Sequence, residues 1–468
     1  MSRRHASIGV LLAATALAGC STLSPDSAFG PVAQTATERL GKNVQWQRTE
    51  ADRSAAEQRV AALLAQPLST DDAVQVALLN NRGLQAAFFE LGIADADRVQ
   101  AGRLANPGFS FGRLAQGSDV EIDRSIQFNL ARLLLMPMAQ QIESRRAEQT
   151  RVAVTLAMLS LAAETRKAHI QAVAAAETVR YMRQVQDAAE AGAELARRQA
   201  QAGNWNKLQQ AREQGFYADA ALKLARAEQG AGAARERLTQ LMGLWGEQTQ
   251  YKLPERLPDL PKQLEDQPDI ERTAMASRLD VQMAKGGTEQ LARNLGLARA
   301  TGFINVLEVG AVRNSMTTLP TQRGYTVSVE LPLFDWGGAR SAKAEALYMQ
   351  AVNQTAQTAI AARSQVRMAY AGYRTSYDIA RHYRDEIVPL AKRISEENVL
   401  RYNGMLIGVF ELLADARSQI GSVNGAIDAL RDFWLAQADL DMALTGKPSM
   451  SATPAAGSTA MDSTAADH

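Results

Sequence analysis

The chain repeats itself, and that limits its possible folds more than any other feature. Gln201-Ala202-Gly203-Asn204 ends a long Ala-rich helical pattern, and Tyr402-Asn403-Gly404-Met405 ends another 201 positions later (404 − 203). Ile126-Gln127-Phe128-Asn129-Leu130 alternates apolar and polar, and so does Val327-Ser328-Val329-Glu330-Leu331 at the same offset (327 − 126 = 201). Asn80-Asn81-Arg82-Gly83-Leu84-Gln85 returns as Ser277-Arg278-Leu279-Asp280-Val281-Gln282, 197 positions on (282 − 85). Three unrelated features at nearly one offset read as an internal duplication, and repeats decide the architecture before any local element does. Each unit reads helix, two strands, long helix, turn, long helix.

The repeats span 69–247 and 269–447, with a Pro-rich linker over 248–268 that carries Pro254, Pro258, Pro261 and Pro268. Residues 1–19 read as a targeting signal: Arg3 and Arg4, then an apolar run from Ile8 to Leu17 too short to span a bilayer. Residues 20–68 read as a polar tether and irregular segment, and 448–468 as a Ser/Thr/Ala-rich disordered tail. In the first repeat, Ser69 caps a helix running toward Leu104, and Asn106-Pro107-Gly108 ends it. A strand hairpin follows around Gly117-Ser118-Asp119, then a proline-free helix from Ala139 to about Ala202 and another from about Asn206 to Met242. In the second repeat the spacing predicts a helix over Asp269–Ala298, strands over Phe303–Arg313 and Gly324–Leu331, a helix from Ala339 interrupted at Pro389, and a last helix to Leu444.

Composition narrows the class. Basic and acidic residues number 51 and 50, so the net charge of +1 gives no basic surface for nucleic acid. Apolar content of 46% with only 6% aromatics suits long packed Ala-rich helices. No later stretch approaches the roughly 20 apolar residues of a membrane helix, so any membrane-spanning part uses strands. Ile126, Phe128 and Leu130 face one way and Gln127 and Asn129 the other; Tyr325, Val327, Val329 and Leu331 oppose Thr326, Ser328 and Glu330. That alternation fits a transmembrane barrel around water and equally a soluble sandwich with one wet face. Four strands do not close a barrel in lipid, so a membrane reading requires several chains to share one.

Catalytic chemistry is missing. His5, His169, His382 and His468 are isolated, with no metal-ligand spacing, and Gly286-Gly287 and Gly337-Gly338 lack a nucleotide fingerprint. Met136 and Met138 read as packing rather than a soft-metal site. The expectation is no enzyme, no cofactor and no metal.

Leu331-Pro332-Leu333-Phe334-Asp335-Trp336-Gly337-Gly338-Ala339-Arg340, a strand end running through glycines into a helix, resembles the TolC-type outer-membrane efflux proteins. Glu386-Ile387-Val388-Pro389 resembles that family's helix break. Tyr402-Asn403-Gly404 with the run from Phe410 to Ala416 resembles its periplasmic tip, and Leu444-Thr445-Gly446 its closing motif. Leu17-Ala18-Gly19-Cys20 resembles the lipobox of bacterial lipoproteins, which implies lipidation at Cys20, the only cysteine, and an outer-membrane address.

The resemblance implies a mainly α fold with a β-barrel part. Four strands per chain and long periplasmic helical hairpins would form a homotrimeric barrel and tunnel. It also implies a passive exit duct in a tripartite efflux or type I secretion system, with a periplasmic adaptor, an inner-membrane transporter and outer-membrane lipid as partners. Under it, Pro137, Pro332, Gly337 and Gly338 mark strand-to-helix bends and Pro389 a helix break. Gly203, Trp205, Tyr402, Gly404, Glu411 and Asp415 mark the tip, as adaptor contact or gate. The first repeat departs from the pattern at Leu133–Met138, an apolar run with one proline. The alternative is a periplasmic adaptor or scaffold lipoprotein of helical hairpins without a channel.

Overall fold

Side-chain caps set where several helices begin. The computed structural model describes residues 23–264, 266–300, 307–329, 334 and 336–447. After α1 (Phe29–Leu40), Thr49 and Asp52 close a capping box at the start of α2 (Glu50–Leu64). Ser69 accepts from the Asp72 amide to open α3 (Thr70–Asn80), and Asn81 caps α4 (Arg82–Ala101). Strands β1 (Gly108–Gln116) and β2 (Asp119–Asn129) lead into α5 (Leu130–Gln201), and Asn206 with Gln209 caps α6 (Lys207–Met242). A 3-10 turn at Gly246–Thr249 and a linker precede α7 (Ile270–Ser277) and α8 (Leu279–Ala300). Strands β3 (Leu307–Met316) and β4 (Gln322–Val329) follow, then α9 (Gly338–His382). A π-helical turn at Tyr383–Ile387 joins α9 to α10 (Val388–Asn403), and α11 (Val409–Thr445) closes the chain. Two short helices, two strands and two long helical limbs therefore occur twice in the same order.

The core sits between the strands and the helical tips, where the short helices pack on the long ones. Val74, Leu78, Leu84 and Phe88 of α3 and α4 bury against Val154, Met158 and Ala162 of α5. In the second half Ile270 and Ala274 of α7 bury against Val366 and Ala369 of α9 and Ala443 of α11. The linker closes the seam: Leu257 packs with Ile170, Val173 and Ile427, and Leu260 with Tyr377 and Phe433. At 72 residues, α5 is a rod of ~110 Å.

The structure corrects several expectations. Residues 23–68 are not an irregular tether: they hold α1 and α2, which bury Val32, Ala36, Ala56 and Val60. The apolar stripes are short: Phe29, Val32, Ala36 and Leu40 in α1, and Ala56, Val60, Leu63 and Leu64 in α2. The helix expected from Ser69 to Leu104 is two helices with Asn81 between them, and the one expected over Asp269–Ala298 divides at Arg278. The long helix begins at Leu130 rather than Ala139, with Asn129 accepting from the Arg132 amide. Pro137 thus lies inside α5 and not at the bend, because the strand becomes helix at Asn129, before the proline is reached.

The interruption assigned to Pro389 lies just before it. Pro389 has no amide hydrogen and its ring excludes a regular bond from the preceding turn, so the chain widens into a π turn before α10 starts. Cys20, Phe303, Leu331 and Pro332, and the tail beyond 447, lie outside the described residues.

Candidate functional site: the sheet and the helical tips

The four strands form one antiparallel sheet in the order β1-β2-β3-β4, so β2 and β3 join the two halves of the chain. A two-residue turn, Gly117-Ser118, joins β1 to β2, and Gly117 takes positive φ there. The pairing is continuous, which fixes the faces. Phe109, Ile126, Ala311 and Tyr325 stand in one cross-strand row, Phe128, Val309 and Val327 in the next row of that face, and Leu307 and Val329 beyond. On the opposite face stand Gly108, Gln127, Gly310 and Thr326, then Ser110, Ser125, Val312 and Gly324. The Ser110 and Ser125 hydroxyls meet at 2.6 Å, and Asn314 donates to Glu121 at 2.7 Å, both on this polar face.

The apolar face is open. Tyr325 is 83% exposed and Phe109 68%, values that a soluble sandwich would bury. No second layer covers either face among the described residues. The edges β1 and β4 also lack a partner strand among the described residues. Among the described residues the sheet thus shows a mainly apolar face, a mainly polar face, and two edges without a neighbouring strand.

The strand-to-helix junctions differ between halves. Asn129 caps α5 directly, whereas Gly337 holds φ +76° at the start of α9, a left-handed conformation that glycine takes readily. Gly338 is the first residue of α9, in open space.

The tips are turns of one geometry. At the first, the Gly203 amide donates to the Ala200 carbonyl and Asn204 to Gln199; at the second, Met405 donates to Tyr402 and Leu406 to Arg401. The residue with positive φ is Gly203 (+77°) in one and Met405 (+57°) in the other. Gly404, read from sequence as the turn glycine, has φ −80° and does not need to be glycine on that account. Trp205 is half-buried beside the first turn, its amide donating to the Gln199 carbonyl. Tyr402 is 40% exposed. Glu411 is exposed in the first turn of α11, and Asp415 follows one turn later on the same face, with its Oδ2 buried and unpartnered among the described residues.

Sequence reading missed the contact that joins the hairpins near these tips. Arg417 Nη2 on α11 donates to both carboxylate oxygens of Glu213 on α6 at 2.8 Å, and its guanidinium lies 4.3 Å from the centre of the Phe216 ring. The Glu213 side chain is 3% exposed. Glu213 and Arg417 lie far apart in sequence, so no local pattern could announce the pair. On α5, hydrogen bonds from Arg197 and Arg198 hold the Glu194 carboxyl down at about 2, which keeps an exposed anion near the first tip.

No group of side chains suited to hold a metal ion occurs among the described residues, and no described helix is long and apolar enough to cross a membrane.

No family profile matches the sequence, and no curated protein does. Solved structures do match. The Campylobacter jejuni CmeC outer membrane channel aligns with TM-score 0.67 at 17% identity, over 80% of this chain and 85% of that one. The Neisseria gonorrhoeae MtrE outer membrane channel, in its open state, gives 0.66 at 20%, over 80% and 88%. The outer membrane protein VceC from Vibrio cholerae gives 0.63 at 15%, over 86% and 98%. At these identities the likeness establishes the fold.

Proposed function

We propose that this chain, which has the fold of the TolC-type outer-membrane efflux proteins, forms an outer-membrane exit channel as a homotrimer. The sheet carries the reading. Its unpaired β1 and β4 edges would pair between subunits, and three chains would supply 12 strands (3 × 4). A closed barrel leaves no backbone group unpaired in lipid. Its apolar face would meet acyl chains and its polar face, lined by glycine, serine and glutamine, would enclose water; a barrel of that size is wide enough to hold it. Asp119, Glu121, Asp123 and Glu308 fall on the polar face, which favours passage of cations.

The helical limbs would extend the conduit through the periplasm and end at the two tips. There Gly203, Trp205, Tyr402, Gly404, Glu411 and Asp415 would face an adaptor or line a gate, and an inner-membrane transporter would supply the energy. In this reading the chain has no catalytic site. Cys20 would carry the lipid anchor. The recurring element order, and the recurrence of its joints, support an origin by internal duplication.

The test is assembly and conductance together. Detergent-extracted, unboiled protein should come from outer membranes as a trimer and conduct ions in planar bilayers. A soluble monomer after Cys20→Ala, without conductance, would sink the channel reading and favour a periplasmic scaffold.

A further inference from the structure

The sheet sorts its charges by face. The face that carries Phe109 and Tyr325 also carries Arg113, Arg124, Arg313 and Arg323, and no carboxylate among the described residues. All four acids of the described strands lie on the other face, with no lysine or arginine among them. Arg124, Arg313 and Arg323 stand directly opposite one another on β2, β3 and β4, with Phe111 completing the row on β1. Arg113 lies in the adjacent row, toward the hairpin turns.

Among the described residues no carboxylate pairs with any of these four arginines. Arg124 reaches the Ser315 hydroxyl at 3.4 Å and lies 6.0 Å from the Phe111 ring centre. Like charges directly opposite on one sheet face repel, so anions supplied from outside would stabilise a row of three.

Its height on the sheet says where those anions lie. From the arginine row toward the helices the same face is apolar for roughly 20 Å, down to Leu307 and Val329. Arginine on the lipid face of a barrel is strongly disfavoured at the bilayer midplane and tolerated at the interface. In the barrel reading, on which this inference rests, the row therefore sits at headgroup level on the side of the hairpin turns, away from the helices. Phe111 and Tyr325 beside it suit an interfacial aromatic belt.

We propose that this row is a binding site for the phosphate groups of lipids in the leaflet facing away from the helical limbs. Guanidinium forks match phosphate oxygens two at a time, and the adjacent apolar rows would seat the acyl chains of the same lipid. Threefold assembly would repeat the site around the barrel.

Native mass spectrometry and thermal dissociation of the full-length trimer test this, with three probes: lipid A bearing its phosphates, the same lipid dephosphorylated, and inorganic phosphate. The phosphorylated lipid should be retained and raise the dissociation temperature, and the dephosphorylated form should bind at least roughly tenfold more weakly. Inorganic phosphate at the same concentration should not displace the lipid; full displacement would mean a site for free phosphate and overturn the lipid assignment. Arg124→Gln, Arg313→Gln and Arg323→Gln together should abolish the preference while conductance persists. If that variant does not assemble, the two lipids on wild-type protein decide alone. Equal retention of both lipids by a conducting wild-type trimer overturns this site and leaves the channel standing. A wild-type protein that forms no conducting trimer removes the channel reading itself.

Discussion

The two halves of the chain build the same joints from different residues. In the first, the helix break between α3 and α4 falls at Asn81 (φ −65°, ψ 117°); in the second, the break between α7 and α8 falls at Arg278 (φ −68°, ψ 121°). Each break secures the end of its half's last helix. Asn81 donates to the Leu241 carbonyl at 2.9 Å and Asn80 to Met242 and Gly243, while Arg278 donates to Ala443 at 3.1 Å and Ser277 to Leu444 at 2.7 Å. Each half also ties the segment before its first short helix to its first long limb. His169 on α5 bonds the Leu68 carbonyl at 2.7 Å and Thr70 Oγ1 at 3.0 Å; Tyr370 on α9 donates to Asp266 at 2.8 Å. The geometry requires that the orphan carbonyls at a helix end be met, and it does not fix which side chain meets them. The halves therefore share a shape and differ in charge and titration.

The largest effect that would sharpen this comparison is at Arg278. Its side chain is 1% exposed, paired with Asp280 at 2.6 Å, and it also bonds Gln365. Arg278→Met should cost about 3 kcal/mol, the low end for breaking a buried pair because Asp280 keeps some contact with water. Asn81→Ala removes a cap and one carbonyl bond, and should cost about 2 kcal/mol. Urea midpoints at unchanged slope would measure both. Equal losses would mean that the joints are energetically alike despite their chemistry.

A subtler break is pH. Burial pushes the His169 imidazole below its ordinary 6.5, partly opposed by its bond to the Leu68 carbonyl. Below pH 6.5 the unfolded chain binds this proton more readily than the folded one, so the contribution is complete above that pH and is lost as pH falls. Urea midpoints should drop on acidification through 6.5 toward 5, and His169→Gln should flatten that part of the profile. Asp441, whose carboxyl burial raises from 3.8 against a partial offset from Arg166, works in the opposite direction. An unchanged slope in His169→Gln would place the sensitivity elsewhere.

What sequence revealed divides along the same line. The strand faces were legible because β2 alternates over Ile126–Asn129 and β4 over Tyr325–Val329, and the turn at Gly117-Ser118 announced itself. The breaks at Asn81 and Arg278 were not, because neither is Gly or Pro and their extended backbone is open to any residue; tertiary bonds to a helix end far along the chain impose them. The arginine row was hidden for a similar reason: Arg124 and Arg313 become neighbours only through the pairing of β2 with β3. The tip was half legible. The Gly203 turn stood where Gly-Asn placed it, but Gly404 drew attention from Met405, which carries the left-handed backbone.

That last difference gives the smallest and cleanest test. Both tips close with the same pair of bonds, so one turn is built with glycine and one with methionine. A side chain in the left-handed region costs about 1 kcal/mol, and Met405 has no evident packing return within the chain, being 92% exposed. Met405→Gly should therefore stabilise by about 0.5 kcal/mol, the relief of strain outweighing the extra entropy glycine gives the unfolded chain. Gly203→Ala should destabilise by about 1 kcal/mol through backbone alone, since a Cβ there would meet nothing within 4 Å. Opposite signs in urea unfolding would establish the tips as one turn with two residues. If Met405→Gly instead weakens the assembled protein while the isolated chain gains, the methionine is held in its strained conformation by a contact outside the chain, and the second tip is the one that meets a partner.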